Sequence, residues 1–221
     1  MNRRPPPLYR TALRLVSPVV RGWGRLSVTG AELLDTARPI LAVVNHDSHW
    51  DPLAVAVAGR RRHMRALAKA SLWRNRVLAA FLNGVGQIPI ERGQGDRGAL
   101  DAAARALRAG ECIGIFAEGT ISRGVPLRAH SGAGRLAKDV PEAMLLCVRV
   151  IGATDMVRFP KRPRLRVEFF EPGSGPARPD ESAAAIAARL LAEIRAGAPP
   201  MPAGRRRKRR RIAKQQAEAA R

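Results

Sequence analysis

The sequence predicts an α/β fold in which a mixed, mostly parallel sheet is flanked by helices, with an amphipathic helical segment at the N-terminus. Apolar runs of strand length alternate with longer stretches of helical spacing, and this alternation repeats four times. Apolar residues make up 46% of the 221 residues, which is enough for one substantial core. Polar residues that could take part in a reaction follow the apolar runs. They would lie just past the carboxyl ends of the strands, where open α/β sheets bind their ligands.

The chain divides into three predicted parts. Residues 1–27 are predicted to form the amphipathic helix, residues 28–197 the α/β domain and residues 198–221 a basic tail. The tail contains an unbroken basic run from Arg205 to Arg211, which repels itself and should be disordered without a partner. Anionic lipid and nucleic acid are both candidate partners of this run, and a solvated tail without a dedicated function is the alternative.

The first helix is predicted over residues 8–23, where apolar side chains recur at helical spacing with arginines among them. Pro18 should kink this helix or divide it in two, because proline cannot donate a backbone hydrogen bond. An apolar face that ends in Trp23 with arginines alongside suits a helix that lies in a membrane interface. The alternative is a helix packed on the core with solvated arginines.

The remaining elements are predicted from apolar runs and helix-start signals. Asp51-Pro52 places a capping residue before a proline, so a helix should follow the apolar strand at 40–44. Further apolar runs predict strands at residues 64–68, 86–90, 112–116, 143–150 and 165–170. Helical spacing predicts helices at residues 52–58, 71–83, 96–109 (closed by Gly110), 131–138 and 181–196.

The formal net charge of +22 indicates an anionic partner. Residues 205–221 hold nine basic residues and one acidic residue, so the rest of the chain is strongly basic as well. Three classes of anionic partner would complement this charge: nucleic acid, an acidic membrane surface and phosphorylated substrates. A nucleic-acid-binding protein is the less favoured class, since only 4% of residues are aromatic and no recognition motif is evident in the sequence.

Cysteine usage and hydropathy indicate the compartment. Cys112 and Cys147 both lie in apolar runs, which suits a reducing environment and gives no disulfide framework. The sequence has no signal-peptide pattern and no run of 18 apolar residues. With the basic charge, these features lead us to expect a peripheral protein on the cytoplasmic side of the cell membrane.

His46 and Asp51 are the candidate catalytic residues. An imidazole and a carboxylate after a buried strand are what a general base and its orienting partner require. Inside a continuous helix, five positions would separate the two side chains by roughly 140°. The pair can therefore meet only if the chain turns between them, and the helix start at Asp51-Pro52 supplies that turn.

Three further motifs accompany this pair. In residues 86–93, Arg92 comes just after a predicted strand. In residues 116–123, a glycine turn with hydroxyl side chains and Arg123 follows a second predicted strand. Lys69 follows a third predicted strand. Together with Asn45-His46-x-x-x-x-Asp51, these motifs resemble the lysophospholipid acyltransferases, the family that includes 1-acylglycerol-3-phosphate acyltransferase. The resemblance covers about residues 28–152.

The resemblance implies a reaction and a role for each residue. His46 would take a proton from a glycerol hydroxyl that attacks an acyl thioester, with Asp51 orienting the imidazole. The donor would be acyl-CoA or acyl carrier protein, with no cofactor and no metal. The acceptor would be a lysophospholipid, most simply 1-acyl-sn-glycerol-3-phosphate. The implied substrate-binding residues are Asn45, Lys69, Arg92, Glu118, Gly119, Thr120 and Arg123.

The sequence departs from the family pattern at three positions. Ala117 replaces a proline, Ile121 replaces an arginine that often follows Glu-Gly-Thr, and Cys147 stands where a proline is usual. Arg123 is the candidate to replace the missing arginine. Another lysolipid, a glycolipid or glycerol 3-phosphate therefore remains an alternative acceptor.

Two other interpretations compete with this one. His46, Asp47, His49 and Asp51 are possible metal ligands, but the spacing differs from His-x-His-x-Asp-His and no second histidine cluster follows in the sequence. An acyltransferase-like scaffold without activity is disfavoured by the intact His46 and Asp51.

Overall fold

The computed structural model describes residues 5–91, 96–157 and 162–201. The strands are β1 (Ser27–Thr29), β2 (Ile40–Val44), β3 (Met64–Lys69), β4 (Ile88–Ile90), β5 (Cys112–Phe116), β6 (Met144–Ile151) and β7 (Arg166–Phe170). The α-helices are α1 (Pro7–Ser17), α2 (Asp51–Ala58), α3 (Arg76–Gly84), α4 (Arg97–Arg108), α5 (Gly132–Asp139) and α6 (Ala183–Gly197). The predicted Arg92 and the basic run from Arg205 to Arg211 lie outside the described residues.

The strands form one sheet in the order β1-β7-β6-β2-β5-β3-β4. Every neighbouring pair is parallel except β6 and β7, which are antiparallel. The predicted mixed, mostly parallel sheet is thus confirmed. β2 is buried along its whole length, as its uniformly apolar sequence requires of a central strand covered on both faces.

The helices cover both faces of the sheet. Side chains of α4, α5 and α6 pack on one face, in a cluster that includes Leu107, Leu136 and Leu190. The other face is covered by α2 and the N-terminal helical segment, with Val57 in its core and Leu13 packed against it. Each face therefore buries its own apolar layer, as a sheet covered on both sides requires.

The strand register brings the loops after β2 and β5 together. Val44 of β2 pairs with Phe116 of β5 and, on its other side, with Val148 of β6. Because these strands are parallel and end level, the residues two positions beyond Val44 and Phe116 emerge side by side. His46 and Glu118 are those residues, so the sheet itself brings the two motifs together.

Of three local predictions, the structure agrees with one and contradicts two. The N-terminal helix is divided at Pro18, as predicted, and continues as a π-helical segment, Pro18–Trp23. The prediction of one continuous helix at 71–83 is wrong. A 3₁₀ turn (Ala70–Arg74) comes first, and α3 begins after it with the Asn75 side chain as its N-cap. The capping role predicted for Asp51 is also wrong, because Trp50 occupies the N-cap position and Asp51 lies in the first turn.

Among the described residues, none of the helices combines the length and the hydropathy that a bilayer crossing requires.

Candidate active site

His46 and Asp51 meet across the turn between β2 and α2. His46 Nδ1 lies 2.9 Å from Asp51 Oδ2, and the Asp51 side chain is fully buried. A carboxylate only accepts hydrogen bonds, so Nδ1 carries the proton and donates it to Asp51. This tautomer leaves the lone pair on Nε2, the nitrogen that a general base uses.

The same aspartate oxygen also orders the turn. Asp51 Oδ2 accepts hydrogen bonds from the backbone N–H groups of Asp47 at 2.6 Å and Ser48 at 2.7 Å. Burial raises the pKa of Asp51 above its usual value, although the hydrogen bonds from His46, Ser48 and Asp47 act in the opposite direction. A carboxylate so poorly solvated gains most from a neighbouring positive charge, so it is suited to stabilise an imidazolium.

His46 lines a largely apolar cavity of about 920 Å³. The imidazole packs on the ring of Phe116, with ring centroids 4.3 Å apart. The cavity runs between the N-terminal segment, α2, β3 and α3, and its apolar lining includes Leu13, Val16, Leu67, Leu72 and Leu82. A space of this size and polarity can enclose a hydrocarbon chain.

Three of the predicted substrate-binding residues line this cavity with His46. They are Lys69 at the end of β3 and Thr120 and Arg123 in the loop after β5. Arg123 adopts a left-handed backbone conformation with φ of 52°, which is uncommon for a non-glycine residue. The structure thus brings two cationic side chains and a hydroxyl to the cavity that holds the candidate base.

Asn45 is fully buried and its side chain is used by the scaffold. Its Nδ2 donates to the Val150 carbonyl at 2.9 Å, and its Oδ1 accepts from the Val150 N–H at 2.8 Å. These two hydrogen bonds hold the start of the turn against the end of β6. The geometry gives Asn45 a structural function where the sequence predicted substrate binding.

Glu118 is likewise buried, and it is not among the residues that line the cavity. Its Oε2 accepts a hydrogen bond from the backbone N–H of His46 at 2.8 Å. Burial raises the pKa of Glu118, and the Arg195 guanidinium opposes that rise. Gly119 follows with φ of 63°, and a Cβ there would lie 2.6 Å from the ring of His130. Glu118 and Gly119 therefore shape the loop that carries Thr120 and Arg123.

Arg195 of α6 is a site residue that the sequence reasoning missed. Its Nη1 and Nη2 donate to Asp47 at 2.8 and 2.9 Å, and its Nη2 donates to both oxygens of Glu118. Burial alone would lower the pKa of Arg195, but the contacts with Asp47 and Glu118 outweigh it and raise that pKa. No local motif surrounds Arg195, so only the folded chain reveals these contacts.

Ser122 completes the support of the turn. Its hydroxyl donates to Asp47 Oδ1, and its backbone N–H donates to the His46 carbonyl at 2.8 Å. His46 is thus held through its ring by Asp51, through its N–H by Glu118 and through its carbonyl by Ser122. A base held at so many points is preorganised for proton transfer.

The acidic and histidine side chains of the His46–Asp51 segment do not converge as metal ligands. In the parts of the chain that the structure describes, no three His, Cys, Asp or Glu side chains cluster in a way that could hold a metal ion. His49 is exposed and lines the cavity that His46 also lines.

The fold and the sequence are similar to those of known proteins. Residues 25–151 match the family model described as Acyltransferase. No curated protein gives a significant match to the chain. Among solved structures, the chain is similar to the 1-acyl-sn-glycerophosphate (LPA) acyltransferase PlsC from Thermotoga maritima, with a TM-score of 0.60 and 17% identity. That similarity covers 85% of this chain and 81% of the other, and at this identity it establishes a shared fold.

Proposed function

The chain belongs to the acyltransferase family, and we propose that it transfers a fatty acyl group from acyl-CoA or acyl carrier protein to the free hydroxyl of a lysophospholipid. The acceptor we favour is 1-acyl-sn-glycerol-3-phosphate, which would give phosphatidic acid. One observation carries the proposal: the 2.9 Å contact between His46 and Asp51 lies at an apolar cavity that also presents Lys69 and Arg123.

The proposed reaction needs one base and no covalent enzyme intermediate. His46 Nε2 removes the proton from the acceptor hydroxyl as its oxygen attacks the thioester carbonyl carbon. The carbon–sulfur bond then breaks, and the imidazolium returns its proton to the departing thiolate. A positioned base contributes about 10²–10⁴-fold to such a step. A thioester is already activated, so neither a metal nor a cofactor is needed in this scheme.

Lys69 and Arg123 are proposed to bind the acceptor phosphate. A dianionic phosphate favours two or more cationic donors, because charge-assisted hydrogen bonds are about twice as strong as neutral ones. Thr120, which lines the same cavity, offers a hydroxyl for the glycerol or the phosphate. Arg92, which the family resemblance also assigns to the phosphate, lies outside the described residues.

The apolar part of the cavity is proposed to hold an acyl chain. Leu13 and Val16 of α1 form one wall, so the N-terminal helix contributes to this site. We propose a chain of three parts, an N-terminal helical segment, a catalytic domain and a basic tail, in which the first part also lines the site. A lipid substrate and a basic chain together favour a peripheral position on an anionic membrane surface, on its cytoplasmic side.

A product assay with purified protein tests the proposal. We expect acyl transfer from labelled acyl-CoA or acyl carrier protein to 1-acyl-sn-glycerol-3-phosphate, and its loss in His46→Ala with the melting temperature preserved. Other lysolipids, a glycolipid and glycerol 3-phosphate belong in the same acceptor panel. Wild-type turnover in His46→Ala would refute the assignment of the base, whereas a preference for another acceptor would change only the substrate.

A further inference from the structure

Helix α3 has an apolar face that the described part of the chain leaves uncovered. None of its residues is buried, and Val77, Leu78 and Phe81 are 82%, 36% and 39% exposed. Val77 and Phe81 are four positions apart and so lie on the same side of the helix. An amphipathic helix normally turns such a face towards the core, so an exposed one indicates a partner.

The apolar face of α3 continues onto α1. Leu8 packs over Gly84 at the end of α3, where an added Cβ would lie 2.5 Å from the leucine side chain. Leu15, one further heptad along α1 from Leu8, is 74% exposed. We call the exposed side chains Leu8, Leu15, Val77, Leu78 and Phe81 the α1–α3 surface.

The two segments that carry this surface contain charges of one sign only. Residues 5–31 and 52–90 contain no Asp or Glu, although the chain as a whole has 18 acidic residues. Five exposed cations lie on or beside the two helices, and within the described residues none of them forms a salt bridge: Arg10, Arg14, Lys69, Arg74 and Arg76. Apolar side chains bordered by such cations complement an anionic lipid surface.

We propose that the α1–α3 surface docks on an anionic lipid bilayer, with α3 as a second membrane contact beside the N-terminal helix. This inference rests on the proposed function, because it assigns a place to the membrane-embedded substrate. Phe81 of the α1–α3 surface also lines the catalytic cavity, and so does Leu72, which is 40% exposed. The docked protein therefore presents its cavity to the bilayer, and a lipid chain enters it with little exposure to water.

Vesicle sedimentation with the full-length protein tests the docking. The vesicles contain phosphatidylcholine alone or phosphatidylcholine with phosphatidylglycerol. Val77→Glu and Leu15→Glu change exposed residues outside the cavity lining, so the fold should persist, which melting temperatures check. Ala188→Glu is the matched control, because Ala188 is exposed on α6, on the opposite face of the sheet.

We expect wild-type protein and Ala188→Glu to bind the anionic vesicles equally. Val77→Glu and Leu15→Glu should each weaken the apparent affinity roughly tenfold or more, since each replaces an apolar contact with the bilayer by a charge. Val77→Ser should also weaken binding, which separates apolar contact from charge. With a monodisperse short-chain acceptor, Val77→Glu should keep wild-type turnover, but it should lose activity on acceptor embedded in vesicles.

Several results would overturn the docking surface. Unchanged vesicle binding by Val77→Glu would do so, as would equal binding of wild-type protein to neutral and anionic vesicles. A wild-type dimer that Val77→Glu dissociates would assign α3 to a second copy of the chain. Vesicle binding is measured without catalysis, so a failure of acyl transfer in the wild-type protein would count against the proposed function and not against the docking.

Discussion

Arg195 Nη2 donates hydrogen bonds to both carboxylate oxygens of Glu118, at 2.7 Å to Oε1 and 2.6 Å to Oε2. Glu118 in turn accepts the backbone N–H of His46, so the final helix is connected through one carboxylate to the candidate base. The same guanidinium holds Asp47, the residue after His46. Arg195 therefore acts as a positioning residue for the catalytic turn.

Replacing Arg195 should disturb both stability and turnover. Arg195→Gln leaves two buried carboxylates without their cation, and breaking a buried pair costs about 3–5 kcal/mol. We expect kcat to fall more than KM rises, because the base loses its position while the cavity remains. Arg195→Lys should recover part of kcat, since it keeps the charge but not the planar fork. Steady-state kinetics and urea unfolding measure the two effects.

Arg189→Gln on the same helix is the matched control. Arg189 pairs with Glu181, away from the turn, so its replacement should affect stability and leave kcat unchanged. If Arg195→Gln behaves like Arg189→Gln in kinetics, Arg195 contributes only to folding.

Replacing Asp51 tests the orientation of the imidazole. In Asp51→Asn the neutral amide no longer stabilises an imidazolium and can favour the wrong tautomer. We expect kcat to fall by about 10²–10⁴-fold with a small change in KM. Asp101→Asn, at an exposed position on α4, controls for the loss of one negative charge. A variant that folds and turns over at the wild-type rate would exclude Asp51 from the mechanism.

Lys69 and Arg123 should control acceptor affinity. Each lines the cavity beside His46, so Lys69→Ala and Arg123→Ala remove binding energy at the proposed phosphate site. We expect each variant to raise KM for the phosphate acceptor roughly tenfold or more, as loss of one charge-assisted hydrogen bond implies. The KM for the acyl donor should change less. Equal effects on an acceptor that lacks a phosphate would contradict this role.

The sequence predicts the elements whose signals are local. β2 and β5 have the predicted bounds because each is a short, uniformly apolar run between polar residues. The contact between His46 and Asp51 is predictable because both residues belong to one turn. The break at Asn75 is not, since the apolar spacing continues across it and only the capping hydrogen bonds mark the new helix.

The supporting contacts of the site depend on tertiary structure. Arg195 lies 148 positions from Asp47 and 77 from Glu118, so no spacing rule connects them. Asn45 has the position of a motif residue, but its amide matches the backbone of Val150, which becomes its neighbour only when β6 pairs with β2. Sequence motifs therefore identify the candidate reacting groups better than the groups that hold them.

The two thiols should be inert in the native protein. Burial raises the pKa of Cys112 and of Cys147 to about 12, so both remain protonated at neutral pH. We expect no labelling by N-ethylmaleimide between about pH 7 and 9, whereas an exposed thiol would react faster as pH rises. Denatured protein should take up two labels, one for each cysteine, which mass spectrometry counts. Rapid native labelling with loss of activity would instead indicate an accessible cysteine near the site.

Gly134 should be needed for the close packing of α5 on α6. An added Cβ at Gly134 would lie 1.9 Å from the carbonyl oxygen of Ala183, a backbone atom that cannot move aside alone. Gly134→Ala should therefore destabilise the protein by about 1–3 kcal/mol, as overpacking does. Gly132→Ala in the same helix is the control, because its Cβ would meet Ile115 at an ordinary 3.4 Å. Urea unfolding of both variants compares them, and equal stability would mean that α5 and α6 are less closely packed than this contact requires.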